Sequence, residues 1–164
     1  MNPLEYTNQQ IEEHIHDGNF SQRINFFDIF GYSEPVNVIS PTIGTAAASY
    51  DVYMLAPRSL TLTEVNFSGL DALAASDSNY ITWSITNLGQ TGAGSAAMLA
   101  ATDVNTTKAT GGSALSANTK RTLTLSATPS ALTVNQGDRL RIRATVTGTL
   151  ANTVTFPVYM LIFS

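Results

Sequence analysis

Asp138-Arg139-Leu140-Arg141-Ile142-Arg143-Ala144-Thr145-Val146-Thr147 is the stretch whose reading decides the fold. Leu140, Ile142, Ala144 and Val146 share one parity, and Arg139, Arg141 and Arg143 share the other. A helix would scatter these residues around its circumference, so the segment reads as a strand with one dry and one wet face. Alternation or an apolar run, with β-branched and aromatic enrichment, recurs at Ser49 to Leu55, Leu60 to Phe67, Tyr80 to Leu88, Thr119 to Leu125 and Thr153 to Phe163. Turn formers separate the strands, as in Asp77-Ser78-Asn79 and Asn135-Gln136-Gly137-Asp138. An Ala/Thr/Gly-rich excursion from Gly89 to Asn118 is the exception, with Ala96 to Ala101 as a helical turn or one more strand. The sum is an all-β chain, a jelly-roll-like antiparallel β-sandwich of roughly eight strands over residues 47–164. Long connections favour the jelly roll over simple hairpins.

Residues 1–46 read differently, as an extended and partly helical N-terminal docking arm. Asn2-Pro3 is a helix start, Leu4, Ile11 and Ile15 fall on one helical face, and Gly18 is placed to stop it. The aromatic cluster Phe20, Phe26, Phe27 and Phe30 is too rich for a free linker, because aromatic rings left in water waste large apolar areas. Pro35, Pro41 and Gly44 then mark an extended crossing segment with Val36 to Ile39 as its one strand-like piece.

Charge divides the chain at about the same place. Residues 1–35 hold Glu5, Glu12, Glu13, Asp17, Asp28 and Glu34 against Arg23, a balance of minus five; the remainder holds six acids against seven bases. Such a division fits a chain that docks by its front and displays its back better than it fits an enzyme whose catalytic groups converge on one pocket. Charged residues are only 12% of the total, so solubility rests on hydroxyls and amides, as on extracellular and virion β-proteins. The absence of cysteine removes disulfides, thiolate catalysis and cysteine-ligated zinc. A pI near 4.9 argues against nucleic acid as a partner, and the sequence has neither a membrane-length apolar run nor a secretory signal, so synthesis in the cytosol of its producer is expected.

The candidate functional residues cluster in the arm. On an extended chain His14 and His16 share a face with Cα atoms about 6.6 Å apart, whereas a helix would turn them about 200° apart. Three copies around a threefold axis would then offer six imidazole nitrogens to a transition metal; the alternative is hydrogen bonding at a subunit contact, with no cofactor. Asp17-Gly18-Asn19 is a turn signal, and Arg23, on one face with Ser21, could lock it through a carboxylate. A hydrolase built from His, Asp and Ser here would still need an oxyanion hole and a rigid pocket, so no enzyme is expected. In the body, Arg139, Arg141 and Arg143 form a ridge that could meet an acidic partner or the acidic arm of a neighbouring subunit, or guard an edge strand against aggregation. Trp83 has the parity of Ile81 and Ile85 and belongs to the core more than to a sugar-stacking platform. The last strand is apolar on both faces, so something must cover its outer side. Val-Tyr-Met-Leu occurs at 52–55 and again at 158–161; as first and last strands of a jelly roll these would be neighbours with matched Tyr53 and Tyr159.

His14-Ile15-His16-Asp17-Gly18 with Ser21, Arg23 and Ile24 resembles a segment, His-x-His-Asp-Gly-x-x-Ser-x-Arg/Lys-Ile, found near the N-termini of many tailed-phage virion proteins, among them head decoration proteins and fibres. The body, with Leu73 to Tyr80 and Val134 to Leu140, is similar in texture to the β-sandwich modules those proteins carry. The resemblance implies a structural, usually homotrimeric component whose N-terminal part attaches to the particle or to sister subunits, with no catalytic residues. Fibres normally continue into long repeats or coiled coil, which this chain lacks. The expectation is therefore a capsid decoration or cement protein on the head surface. Its partners would be itself and the major capsid protein, and its docking residues His14, His16, Asp17, Gly18, Ser21, Arg23, Ile24, Phe26, Phe27 and Phe30. The alternative is a carbohydrate- or receptor-binding β-sandwich tip.

Overall fold

The computed structural model describes residues 34–164, which form nine strands, β1 Glu34–Ile39, β2 Ser49–Leu55, β3 Leu60–Ser68, β4 Tyr80–Asn87, β5 Ala96–Ala97, β6 Arg121–Leu123, β7 Thr133–Val134, β8 Arg139–Thr147 and β9 Val158–Phe163. A 3-10 turn, Asp103–Asn105, and one short helix, α1 Pro129–Leu132, complete the described elements. All strand pairings are antiparallel, in a five-stranded sheet ordered β1-β9-β3-β6 with β7 also on β3, and a four-stranded sheet ordered β2-β8-β4-β5. The pairs β1·β9, β2·β8, β3·β6 and β4·β5 nest from the ends of the sandwich inward, as in one long two-stranded ribbon. Rolling that ribbon brings β9 against β3 and β8 against β4, which closes a jelly roll.

Several sequence expectations shift once this order is known. The sandwich begins at Glu34 and not near residue 47, since β1 pairs along its whole length with β9 and Ile43 is fully buried opposite Val154. With β1 as first strand, Ser49–Leu55 becomes the second and lies in the opposite sheet from β9. The two Val-Tyr-Met-Leu copies are therefore not neighbours, and their tyrosines differ: Tyr53 is 52% exposed and Tyr159 is 1% exposed. The predicted strand from Thr153 to Phe163 is broken at Phe156, whose φ of 46° turns the chain before Pro157. The strand predicted at Thr119 to Leu125 shortens to Arg121–Leu123, with Leu125 making a single bridge to Leu99.

Alternation drives the core. β4 and β8 bury every second residue, and the inward rows of both sheets meet at Phe67, Trp83 and Tyr159. Phe67 lies 4.9 Å from Trp83 and 5.1 Å from Tyr159 between ring centroids, in tilted pairs that add to the burial itself. β3 reaches this cluster through a bulge between Leu62 and Glu64, which moves the apolar parity from Leu60 and Leu62 to Val65 and Phe67.

The excursion between β4 and β6 has little regular structure, and side chains replace the missing ladder. Arg121 lies 4.7 Å over the Trp83 ring and donates from Nη1 to the Ser113 carbonyl at 2.8 Å and from Nη2 to those of Val104 at 3.0 Å and Thr106 at 2.6 Å. Asn105, 1% exposed, donates to the carbonyls of Ala100 and Thr124 and accepts from the Thr124 N–H at 2.8 Å. These two side chains satisfy backbone groups that would otherwise be costly to bury.

Candidate functional site

The wet face of the four-stranded sheet carries the arginine ridge, and pairing fixes what each arginine meets. β8 lies between β2 and β4, so Asp51, Arg143 and Ser84 form one cross-strand row, Tyr53, Arg141 and Thr86 the next, and Leu55 stands opposite Arg139. Arg143 donates from Nε to Asp51 Oδ1 at 2.6 Å and from Nη2 to Oδ2 at 2.7 Å, a two-pronged ion pair. That guanidinium holds the Asp51 carboxyl below the ordinary carboxylate range, and Asp51 in turn raises Arg143. The ridge is thus not three equivalent charges. Arg143 is neutralised within the sheet, while Arg139 and Arg141 form no close ion pair with a described residue. Protection of an edge strand does not explain the ridge, because β8 is an interior strand.

The outer face of the five-stranded sheet has two unlike halves. Over β9 and β1 it presents Val158, Met160, Ile162, Pro35 and Ile39, broken only by Asn37. Over β3 and β6 it presents Glu64, Asn66, Ser68 and Thr122, with Glu64 salt-bridged to Lys120 at 3.3 Å. The apolar half is only partly shielded: Val158, Met160 and Ile162 are half-buried and Ile39 is 70% exposed. At the same end the Ser40 N–H donates to the Pro157 carbonyl and the Leu70 N–H to that of Thr155, so the exposed Ile39 and Leu70 flank the kink that holds Phe156 out at 69% exposure. The doubly apolar reading of the last strand is resolved in this way. Tyr159, Leu161 and Phe163 enter the core of their own sandwich, and the opposite row does not.

Trp83 is 2% exposed, so it offers no platform to a sugar. A cleft of about 370 Å³ that sequence reasoning missed runs along the outer side of β4, lined by Tyr80, Thr82, Ser84, Thr102, Asp103 and Lys108 among others. Lys108 pairs with Asp103 at 2.9 Å and lies 4.9 Å over the Tyr80 ring, so the charges at the cleft satisfy each other. Only the spacing of Tyr80, Thr82 and Ser84 on one strand face hinted at it. The body's other carboxylates are structural acceptors. Asp138 is held below its ordinary value by the Asn135 N–H and the Asn87 amide, Asp71 by the Thr155 hydroxyl and N–H, and Asp77 by the Thr110 N–H and hydroxyl.

Among the described residues no group of three or more His, Asp or Glu side chains could hold a metal, and no helix is long and apolar enough to cross a membrane. His14, His16, Asp17, Gly18, Ser21, Arg23, Ile24, Phe26, Phe27 and Phe30, with the metal reading of the histidines and the helix after Pro3, lie outside the described residues.

No family model matches the chain, and no curated protein matches it. Among solved structures, a chain from the structure of infectious bursal disease virus, Gx strain, is similar to it at 11% identity with a TM-score of 0.31. The match covers 80% of this chain and 36% of that one. So slight a likeness carries no argument, and the assignment of the described residues to a jelly-roll β-sandwich rests on their own strand order.

Proposed function

We propose that this protein is a non-enzymatic bacteriophage virion component, a capsid decoration or cement protein that binds the head surface as a homotrimer and stabilises the shell. The observation that carries the reading is the apolar half-face of Ile39, Val158, Met160 and Ile162 beside the outward-held Phe156. Apolar patches of this kind on a soluble domain favour an interaction surface, since isolation leaves them wet. The segment from His14 to Ile24, which resembles that of tailed-phage virion proteins, supports the same reading. The work is mechanical. A protein that binds only the intact shell stabilises it by mass action, and cement across subunit seams adds buried area without chemistry.

The test combines purified protein with undecorated heads and follows head disruption by heat. Decorated heads are expected to survive to higher temperature. Ile39→Asp combined with Met160→Asp, and separately Arg23→Ala or replacement of both His14 and His16, are expected to remove that protection. Heads equally protected by all the variants, or not protected by the wild type, would overturn the proposal. The rival glycan-binding tip loses Trp83 and would have to use the Tyr80 cleft; glycan binding abolished by Tyr80→Ala, without head binding, would favour it.

A further inference from the structure

We infer that the outer face of the four-stranded sheet, at Tyr53, Leu55, Arg139 and Arg141, seats the acidic N-terminal segment of a second copy of this chain. The inference rests on the assembly reading above and names the surface through which copies join. Asp51 is paired with Arg143, and Arg139 and Arg141 form no ion pair with a described residue. Beside them stand Tyr53, 52% exposed and opposite Arg141, and Leu55, 65% exposed and opposite Arg139. Arginine and tyrosine are side chains that binding surfaces favour at their centres.

The occupant follows from charge and composition. Residues 1–33 carry Glu5, Glu12, Glu13, Asp17 and Asp28 against Arg23, five acids minus one base. The run Phe26-Phe27-Asp28-Ile29-Phe30 sets a carboxylate among apolar side chains, the complement of a face that sets arginines among Tyr53 and Leu55. Against the apolar half of the other sheet the same acids would lose their hydration with no cation to replace it. The segment runs into β1, which belongs to the other sheet, whereas the ridge faces outward from β2 and β8. A contact of this kind between copies is head-to-tail, and head-to-tail contacts that close give a ring. The apolar half-face then stays available for the shell.

Sedimentation of the full-length protein tests this with charge reversal. Arg139→Glu with Arg141→Glu is expected to weaken self-association at least about tenfold, equivalent to about 1.4 kcal/mol. Glu12→Arg, Glu13→Arg and Asp28→Arg together should do the same, and the two sets combined should restore association. A thermal melt of each variant separates loss of assembly from loss of fold. Wild-type trimers unaffected by either reversal would overturn the ridge assignment and leave head decoration standing. A wild type monomeric at every concentration would overturn the ridge assignment, and if it also failed to protect heads the assembly reading would fall with it.

Discussion

The two sheets of the sandwich share one core and differ on their outer faces. On the four-stranded sheet, tyrosine, leucine and hydroxyl side chains flank a row of arginines, one of which is tied down by Asp51. On the five-stranded sheet, the half over β1 and β9 is apolar and its one large break in backbone geometry puts Phe156 into water. The inward rows can be interchanged in kind, as fully buried Ile, Leu, Val and aromatic residues serve both sheets. The outward rows cannot, and this teaches that core packing fixes one parity of each strand and leaves the other open to a different use on each sheet.

The comparison requires that both faces stand on a single cooperative core. Trp83 from the four-stranded sheet and Phe67 from the five-stranded sheet touch across the interior, so Trp83→Ala should cost about 4 kcal/mol in urea unfolding. Every probe should follow one transition, and separate transitions for the two sheets would break the comparison at its base.

Asp138 governs the ridge more than the apolar half-face. Its Oδ2 accepts from the Asn87 amide and the Asn135 N–H, both at 2.9 Å, and fixes the turn that leads into Arg139. Gly137 in that turn has φ of 82°, a conformation open to glycine at little cost. Asp138→Ala leaves two donors unpaired and should cost about 2 kcal/mol. The same carboxylates set the acid limit. Asp51, Asp71, Asp77 and Asp138 all have folded values below the ordinary one, so the unfolded chain takes up protons first as pH falls. Their stabilisation is complete above the unfolded aspartate value of about 3.9 and is lost as pH drops through the folded values. Asp138→Asn should flatten that acid limb in a series of melts, and an unchanged limb would show that the turn does not depend on its charge.

Within the ridge, the Asp51–Arg143 pair is half in water, with side-chain exposures of 22% and 31%. A double-mutant cycle through Asp51→Asn and Arg143→Gln should give a coupling of about 1 kcal/mol that shrinks in salt. A coupling near zero would make all three arginines equally available to a partner.

How much of this could be read from the sequence follows from what sets each feature. β2, β4 and β8 are legible almost to the residue because one face of each packs on the core, fully buried in β4 and β8 and partly in β2, and a period of two leaves no other register. The bulge in β3 is also written there, in apolar residues at 60 and 62 and then at 65 and 67, a change of parity inside one strand. β1 was assigned to the arm because, at a sheet edge, only Val36 and Val38 need to face the core, too short a signal beside two prolines. The Val-Tyr-Met-Leu repeat follows from the same edge strand, since β1 as first strand moves Ser49–Leu55 into the sheet opposite β9. The ridge was legible as a parity, but its neutralised member was not, since pairing Asp51 with Arg143 depends on a β2–β8 register that sequence does not carry. The excursion was opaque because Arg121 and Asn105 hold it through contacts with distant backbone.

The smallest predicted effect separates the two faces most sharply. Phe156 is a bulky residue in the left-handed region, where a non-glycine side chain crowds its own backbone, and it is 69% exposed. An exposed aromatic ring gains little from the fold it belongs to, so the strained backbone at Phe156 is not repaid by burial of its side chain. Phe156→Asn, which tolerates that conformation, should raise the stability of the isolated protein by about 0.5 kcal/mol while reducing protection of heads. The equivalent change on the other sheet, Tyr53→Asn, removes a ring in ordinary strand geometry and should bring no gain in stability, while weakening self-association. Opposite signs of stability and assembly at Phe156, with loss of assembly alone at Tyr53, would assign the two faces to different partners. Equal behaviour would mean that the faces do the same job.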